Sequence, residues 1–151
     1  NKMNTNKKNG FTLIELIIVM VILGIMAAVA VPRYLDSISN AEESAEDAVI
    51  TSIRAGLKQY ANNKLYESGR SYWPGNPFNA LSETPAGYTE DETEADEDGE
   101  WTFIKSPSGG TITHQRADNS RYQWSYDKGI RGNGNDDAEV GTLGTRTKID
   151  Q

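Results

Sequence analysis

The chain has no cysteine and a single histidine, His114. The first absence excludes disulfides, thiol nucleophiles and zinc sites built on cysteine. Exported domains of this size often carry a disulfide staple, so some other interaction holds the carboxy-terminal region, or that region is loose. The second absence leaves a hydrolase triad without support, because no serine or cysteine is placed beside His114 by sequence. A lone histidine on a strand reads as a surface residue. Positive charge is also scarce, with 15 Lys and Arg against 22 Asp and Glu, a formal net charge of −7. Nothing basic and extended is present, which argues against sequence-independent nucleic-acid binding. Gly132-Asn133-Gly134-Asn135 is no phosphate loop, since no lysine and serine follow in the Walker pattern. No catalytic constellation emerges, and the chain reads as a non-enzyme.

Apolar residues make up 36% of 151 residues, and much of that lies in one run near the start. The remainder is one modest polar domain with a small core. The run extends from Phe11 to Val31 before Pro32, about long enough to cross a bilayer. It holds one charge, Glu15. A carboxylate in such a segment is costly and persists where something pairs with it. A secretory signal peptide accounts for Lys2, Lys7, Lys8 and Ala28-Val29-Ala30. The run is too long for that reading, however, and Glu15 interrupts it. A plain membrane anchor fits the length but gives Glu15 no reason.

Lys7-Lys8-Asn9-Gly10 followed by Phe11-Thr12-Leu13-Ile14-Glu15 resembles the processing site of type IV pilins and of the pseudopilins of type II secretion. In that family a prepilin peptidase cuts after the glycine and methylates the new amino-terminal phenylalanine. The resemblance implies cleavage between Gly10 and Phe11, with methylation of Phe11. It implies that Glu15 pairs with the amino terminus of a neighbouring subunit. Gly24 and Pro32 fall where the family has a helix-weakening glycine and a proline. The close match covers residues 7–34, and the rest is similar only in plan. Loss of residues 1–10 would remove three lysines and bring the net charge to −10.

The implied organisation is a leader over 1–10, a transmembrane or filament-core helix over 11–32, an amphipathic continuation over 33–63 and a globular β region over 64–151. Lysines on the amino side keep that end cytoplasmic and export the rest. Tyr34, Ile38, Ala41, Ala45, Ala48, Ile53, Leu57 and Tyr60, with Val49 and Ser52 in the longest gap, form an apolar stripe at helical spacing. Glu42, Glu43, Glu46, Asp47 and Lys58 are assigned to the other faces. The helix is expected to end near Asn62-Asn63, with Gly69 outside. Gly24 and Pro32 mark 24–32 as the place for a kink or local unwinding. Residues 71–88, with Trp73-Pro74-Gly75-Asn76-Pro77-Phe78, read as an irregular connection.

Residues 90–100 form an acidic run, read as a solvated, mobile loop. A calcium loop is the rival: Glu94-x-Asp96-x-Asp98-Gly99 begins like an EF-hand, but position twelve is Lys105. Strands are expected at 101–105, 111–115 and 121–126, separated by turns at 106–110 and 117–120. The tail from 129 to 151 reads as loop, with one edge strand around 142–149. Asn133, Asn135, Asp136, Asp137 and Glu139, with Asp127 before them, offer oxygens on a glycine-rich turn. Either this is a solvent-facing turn or it holds Ca2+, as the resemblance to the major pseudopilin loosely implies.

The expected fold is α+β and pilin-like, one long amino-terminal helix packed on a small antiparallel sheet. The expected role is a structural filament subunit, in a type IV pilus or alternatively as the major pseudopilin of a type II secretion system. Its partners would be further copies of itself, the prepilin peptidase, an inner-membrane assembly platform and the lipid bilayer before assembly. It would sit in the inner membrane first, and afterwards in a surface filament or periplasmic pseudopilus. A membrane-anchored binding protein, using the acidic loop or Trp73, Trp101 and Trp124, ranks last because such aromatics are more often core.

Overall fold

Helix-forming residues run without a break from the apolar segment into the polar half, and one helix, α1 (Leu13–Ser68), contains them all. The computed structural model describes residues 10–129 and 140–149. The chain divides into two units, Asn1–Glu43 and Ser44–Gln151.

In the first unit the described residues are almost wholly helical. Their large apolar side chains are exposed all round, from Phe11 through Leu35. One window of this helix is long and apolar enough to cross a membrane. Gly24 and Pro32 are both helical, so the expected unwinding over 24–32 is not seen. Favourable residues on either side hold the helix through the one N–H that Pro32 lacks.

In the second unit α1 continues past the expected end at Asn62-Asn63. Lys64, Leu65 and Glu67 are good helix formers, and the stop falls at Gly69. That residue has φ +71°, and its N–H donates to the Leu65 carbonyl at 2.8 Å. A left-handed glycine closing the last turn is the usual helix stop. The buried side chains of α1 are Glu46, Ile50, Ile53, Leu57 and Ala61. The stripe therefore differs from the expected one: Ala45 and Ala48 are exposed, and Glu46, assigned to an outer face, is fully buried. Alanine spacing carries little directional information. Ile50, Ile53 and Leu57 have far more apolar area and fix the helix rotation.

The sheet is an antiparallel meander in the order β1 (Trp101–Ser106), β2 (Gly109–Gln115), β3 (Arg121–Asp127) and β4 (Thr147–Ile149). All three expected hairpin strands are present, and the fourth edge strand is shorter than expected. In β3 the alternation of aromatic with polar residues buries Trp124 and Tyr126 and exposes Ser125. Ile50, Ile53 and Leu57 of α1 join Phe78, Trp101, Phe103, Ile112, Trp124, Tyr126 and Leu143 in one core. Trp101 and Trp124 stack at 5.6 Å between ring centres. Trp101 and Trp124 are thus core, and Trp73 packs against it, which removes the aromatic ligand surface of the binding-protein reading. The connection over 71–88 contains a short 3-10 turn, Pro77–Ala80, capped by Asn76 Oδ1 accepting from the Phe78 N–H.

The acidic run is anchored rather than loose. Its side chains are mostly exposed, but Ala95 is buried and its N–H donates to Thr113 Oγ1 at 2.8 Å. Glu94 pairs with Arg121, and Glu92 with Lys105. Glu100 Oε2 accepts from the Asp96 and Glu97 N–H groups. Burial works against that carboxylate's charge, yet these bonds hold its pKa below the usual range. Like charges repel along the loop, but Glu92, Glu94 and Glu100 each have a donor, a compensation that the charge pattern alone does not reveal.

Candidate functional sites on the long helix

Two glutamates on α1 sit in opposite surroundings. Glu15 lies in the first turn. Its Oε2 accepts from the Thr12 N–H at 2.8 Å, and its own N–H donates to Thr12 Oγ1 at 3.3 Å. This is a capping box: Thr12 and Glu15 satisfy each other's orphan backbone donors and fix where the helix starts. The sequence signal was available in the Thr-x-x-Glu spacing just before an apolar run, but the resemblance drew attention to the glutamate alone. Gly10 and Phe11 precede the helix and are exposed. Gly10, Phe11 and Glu15, the residues of the expected processing and docking site, are thus all exposed at the start of α1, while Gly24 and Pro32 lie further along the same helix.

Glu46 is at 0% exposure. Arg116 Nε donates to its Oε1 and Arg116 Nη2 to its Oε2, both at 2.7 Å. His114 Nδ1 lies 3.0 Å from Oε1, and Arg146 Nε lies 3.0 Å from Oε2. Arg146 also pairs with Asp47. Flat aromatic faces frame the cluster: His114 stacks on Trp101 at 4.2 Å, and the Arg116 guanidinium lies 4.0 Å from the Tyr122 ring centre. Burial pushes the Glu46 carboxyl up. The bonds from Arg116 and His114, and then Arg116's charge, outweigh burial and hold the pKa down at about 2. His114 is thus a buried partner of Glu46, which corrects the surface reading. No sequence signal linked residues 46, 114, 116 and 146; only the fold brings them together.

Among the described residues no group of three or more His, Cys, Asp or Glu is placed to hold a metal ion. Of the calcium candidates, Asp127 is exposed and its Oδ1 accepts from the Gly129 N–H at 2.7 Å. Asn133, Asn135, Asp136, Asp137 and Glu139 lie outside the described residues.

An exposed apolar helix with a charged first turn, joined to a small sheet domain, is the plan of a filament-forming subunit. A prokaryotic N-terminal methylation motif matches residues 5–31. A fimbrial protein of Neisseria meningitidis serogroup B is 35% identical over 115 residues, covering 76% of this chain and 58% of that protein. The type IV narrow pilus major component PilA5 of Thermus thermophilus is 47% identical over 49 residues, covering 32% of this chain and 42% of that protein. Fimbrial protein Q of Moraxella bovis is 47% identical over 62 residues, covering 41% and 37%. The chain is homologous to the type IV pilin and fimbrial proteins, and it carries the prepilin-type methylation motif. It spans about half the length of the curated relatives it matches. No solved structure matches it.

Proposed function

We propose that this chain is a structural subunit of a type IV pilus-like filament. The observation that carries the reading is the apolar run of α1 up to Val31: apolar side chains exposed on every face, with one carboxylate, Glu15, in the first turn. Such a surface is covered by bilayer before assembly and by neighbouring helices afterwards. In this reading a prepilin peptidase cuts between Gly10 and Phe11, and Phe11 carries the methylated ammonium. The subunit waits in the inner membrane with its amino end cytoplasmic, and an assembly platform then moves it into an external filament.

Glu15 sets the register. In a dry filament core an unpaired carboxylate costs several kcal/mol. Docking on a neighbour's Phe11 amine removes that cost, while apolar packing along the helix adds affinity without direction. The capping box supports this arrangement. A carboxylate has about four acceptor positions, so the bond to Thr12 holds Glu15 at the chain end and leaves capacity for an amine.

The relatives named as pilus and fimbrial proteins favour a surface filament over a periplasmic pseudopilus. Microscopy of sheared surface filaments, with mass spectrometry of their amino terminus, tests the reading. The expected finding is long filaments whose subunits begin at a methylated Phe11. Subunits that stay in the periplasm, or that begin at any other residue, would contradict it. A bulky replacement of Gly10 should block processing and leave the precursor in the membrane fraction.

A further inference from the structure

Residues 141–149 run along the edge of β3 as a strap. The Gly141 N–H donates to the Asp127 carbonyl at 2.6 Å, and the Gly144 N–H to the Ser125 carbonyl at 2.8 Å. Tyr126 faces Leu143, whereas Gln123 faces Thr147. From these pairs, the strap spends one more residue than β3 between Leu143 and Thr147, which is a β-bulge. Side chains alternate along a regular strand, so without the extra residue Leu143 and Arg146 would face opposite sides. The bulge turns both toward α1: Leu143 enters the core, and Arg146 reaches Glu46 and Asp47. At Gly144 the strap passes close to β3, where a Cβ would meet the Ser125 hydroxyl at 2.2 Å and turn it aside.

We propose that this strap is a latch, opening and closing on β3 as a unit, with the grip of Arg146 on Glu46 and Asp47 setting the balance. Two features let it open while the rest stays folded. Glu46 keeps its bidentate Arg116 and its His114 when Arg146 leaves, so no buried anion is stranded. The core gives up only Leu143, since every other member of the cluster lies outside the strap. The latch side is also the weaker one: β4 pairs over only three residues, and Arg146 Nε approaches Oε2 without making a hydrogen bond. Opening bares the β3 edge from Arg121 to Asp127, a row of backbone groups able to pair with another strand.

Acid should release the latch. The charged groups around Glu46 are Arg116 and His114 at the end of β2, Arg146 on the strap and Asp47 beside it, with Asp118 acting on Arg116. Protonating Glu46 leaves the basic groups crowded together, and only Arg146 sits on a segment that can swing away. Arg116 and His114 hold the Glu46 carboxyl low and stay in place when the strap opens, so the anion that Arg146 grips, and with it the latch, is lost only as pH falls toward about 2.

Amide hydrogen exchange of the full chain in detergent micelles tests this, with rates corrected for intrinsic pH dependence. In Arg146→Met, exchange over 141–149 should accelerate about tenfold or more, the worth of one charge-assisted bond, while 101–127 changes less than about twofold. Equal acceleration in both regions, or none in the strap, would overturn the proposal. If that variant does not fold, wild-type protein taken from about pH 6 to about pH 2, where the Glu46 carboxyl titrates, gives the same decision. Strap exchange rising ahead of the sheet supports a latch, and simultaneous rise overturns it.

Discussion

Glu15 and Glu46 lie on one helix, yet the two ends treat a carboxylate in opposite ways. Around Glu15 the only described hydrogen-bond partners are its own Thr12 backbone and hydroxyl, and every large apolar neighbour is exposed. Around Glu46 an entire domain has closed, with Arg116 and His114 supplying donors and Arg146 a nearby charge, from two other parts of the chain. The first unit leaves its large apolar side chains exposed, and the second buries a core. Glu46 has its compensating charges within the same chain and stabilises a fold, while in the function proposed above Glu15 takes its counter-charge from a neighbour.

Substituting each glutamate should break this contrast most sharply. Glu15→Ala is expected to leave the sheet domain's thermal unfolding unchanged but cut filament yield by about tenfold or more, since a register-setting charge is lost. Quantitative shearing assays read the yield, and wild-type filament levels would end the assembly role of Glu15. Glu46→Ala should do the reverse inside the subunit. It removes the anion that buried Arg116 and His114 face, while Arg146 keeps Asp47, at a cost of about 3–5 kcal/mol in urea unfolding. A loss below about 1 kcal/mol would place that cluster among ordinary surface pairs.

Acid sharpens the comparison without any substitution. The Glu46 carboxyl sits at about 2 rather than 4.5. Its contribution is fully present above the unfolded value and is lost as pH falls through the folded one. The sheet domain should therefore lose about 3 kcal/mol between about pH 4.5 and pH 2. Urea midpoints measured across that window check this, and Glu46→Gln should flatten the dependence. The smallest effect is expected at the cap: Thr12→Val removes the hydroxyl acceptor and should cost about 1 kcal/mol at the helix start. Faster amide exchange confined to the first turn would show it.

Much of the fold was legible because its signals are local. Strand alternation in 121–126 and the turn at 106–110 each depend on neighbouring residues, and each has its counterpart in the structure; the helix stop expected at Asn62-Asn63 does not, since α1 runs on to Ser68. The helix rotation was misjudged where alanines were weighed equally with isoleucines, which hid Ile50 and placed Glu46 outside. His114 was misjudged for a related reason: residue type gives an average exposure, whereas its partner lies 68 residues away. The absence of cysteine raised the right question about the tail. Its answer is a bulge, a buried leucine and an ion pair, none of which has a short-range pattern.

What the sequence determined by itself is the long helix, its apolar first half and the strands, since all follow from spacing within a few residues; the methylation motif over residues 5–31 is likewise carried by the sequence alone. Tertiary structure alone decided that Glu46 is the hub of the second unit, that His114 is buried beside it and that Arg146 turns inward. Those outcomes depend on how distant segments share one dry interior, where a charge is tolerated only beside partners that folding itself delivers.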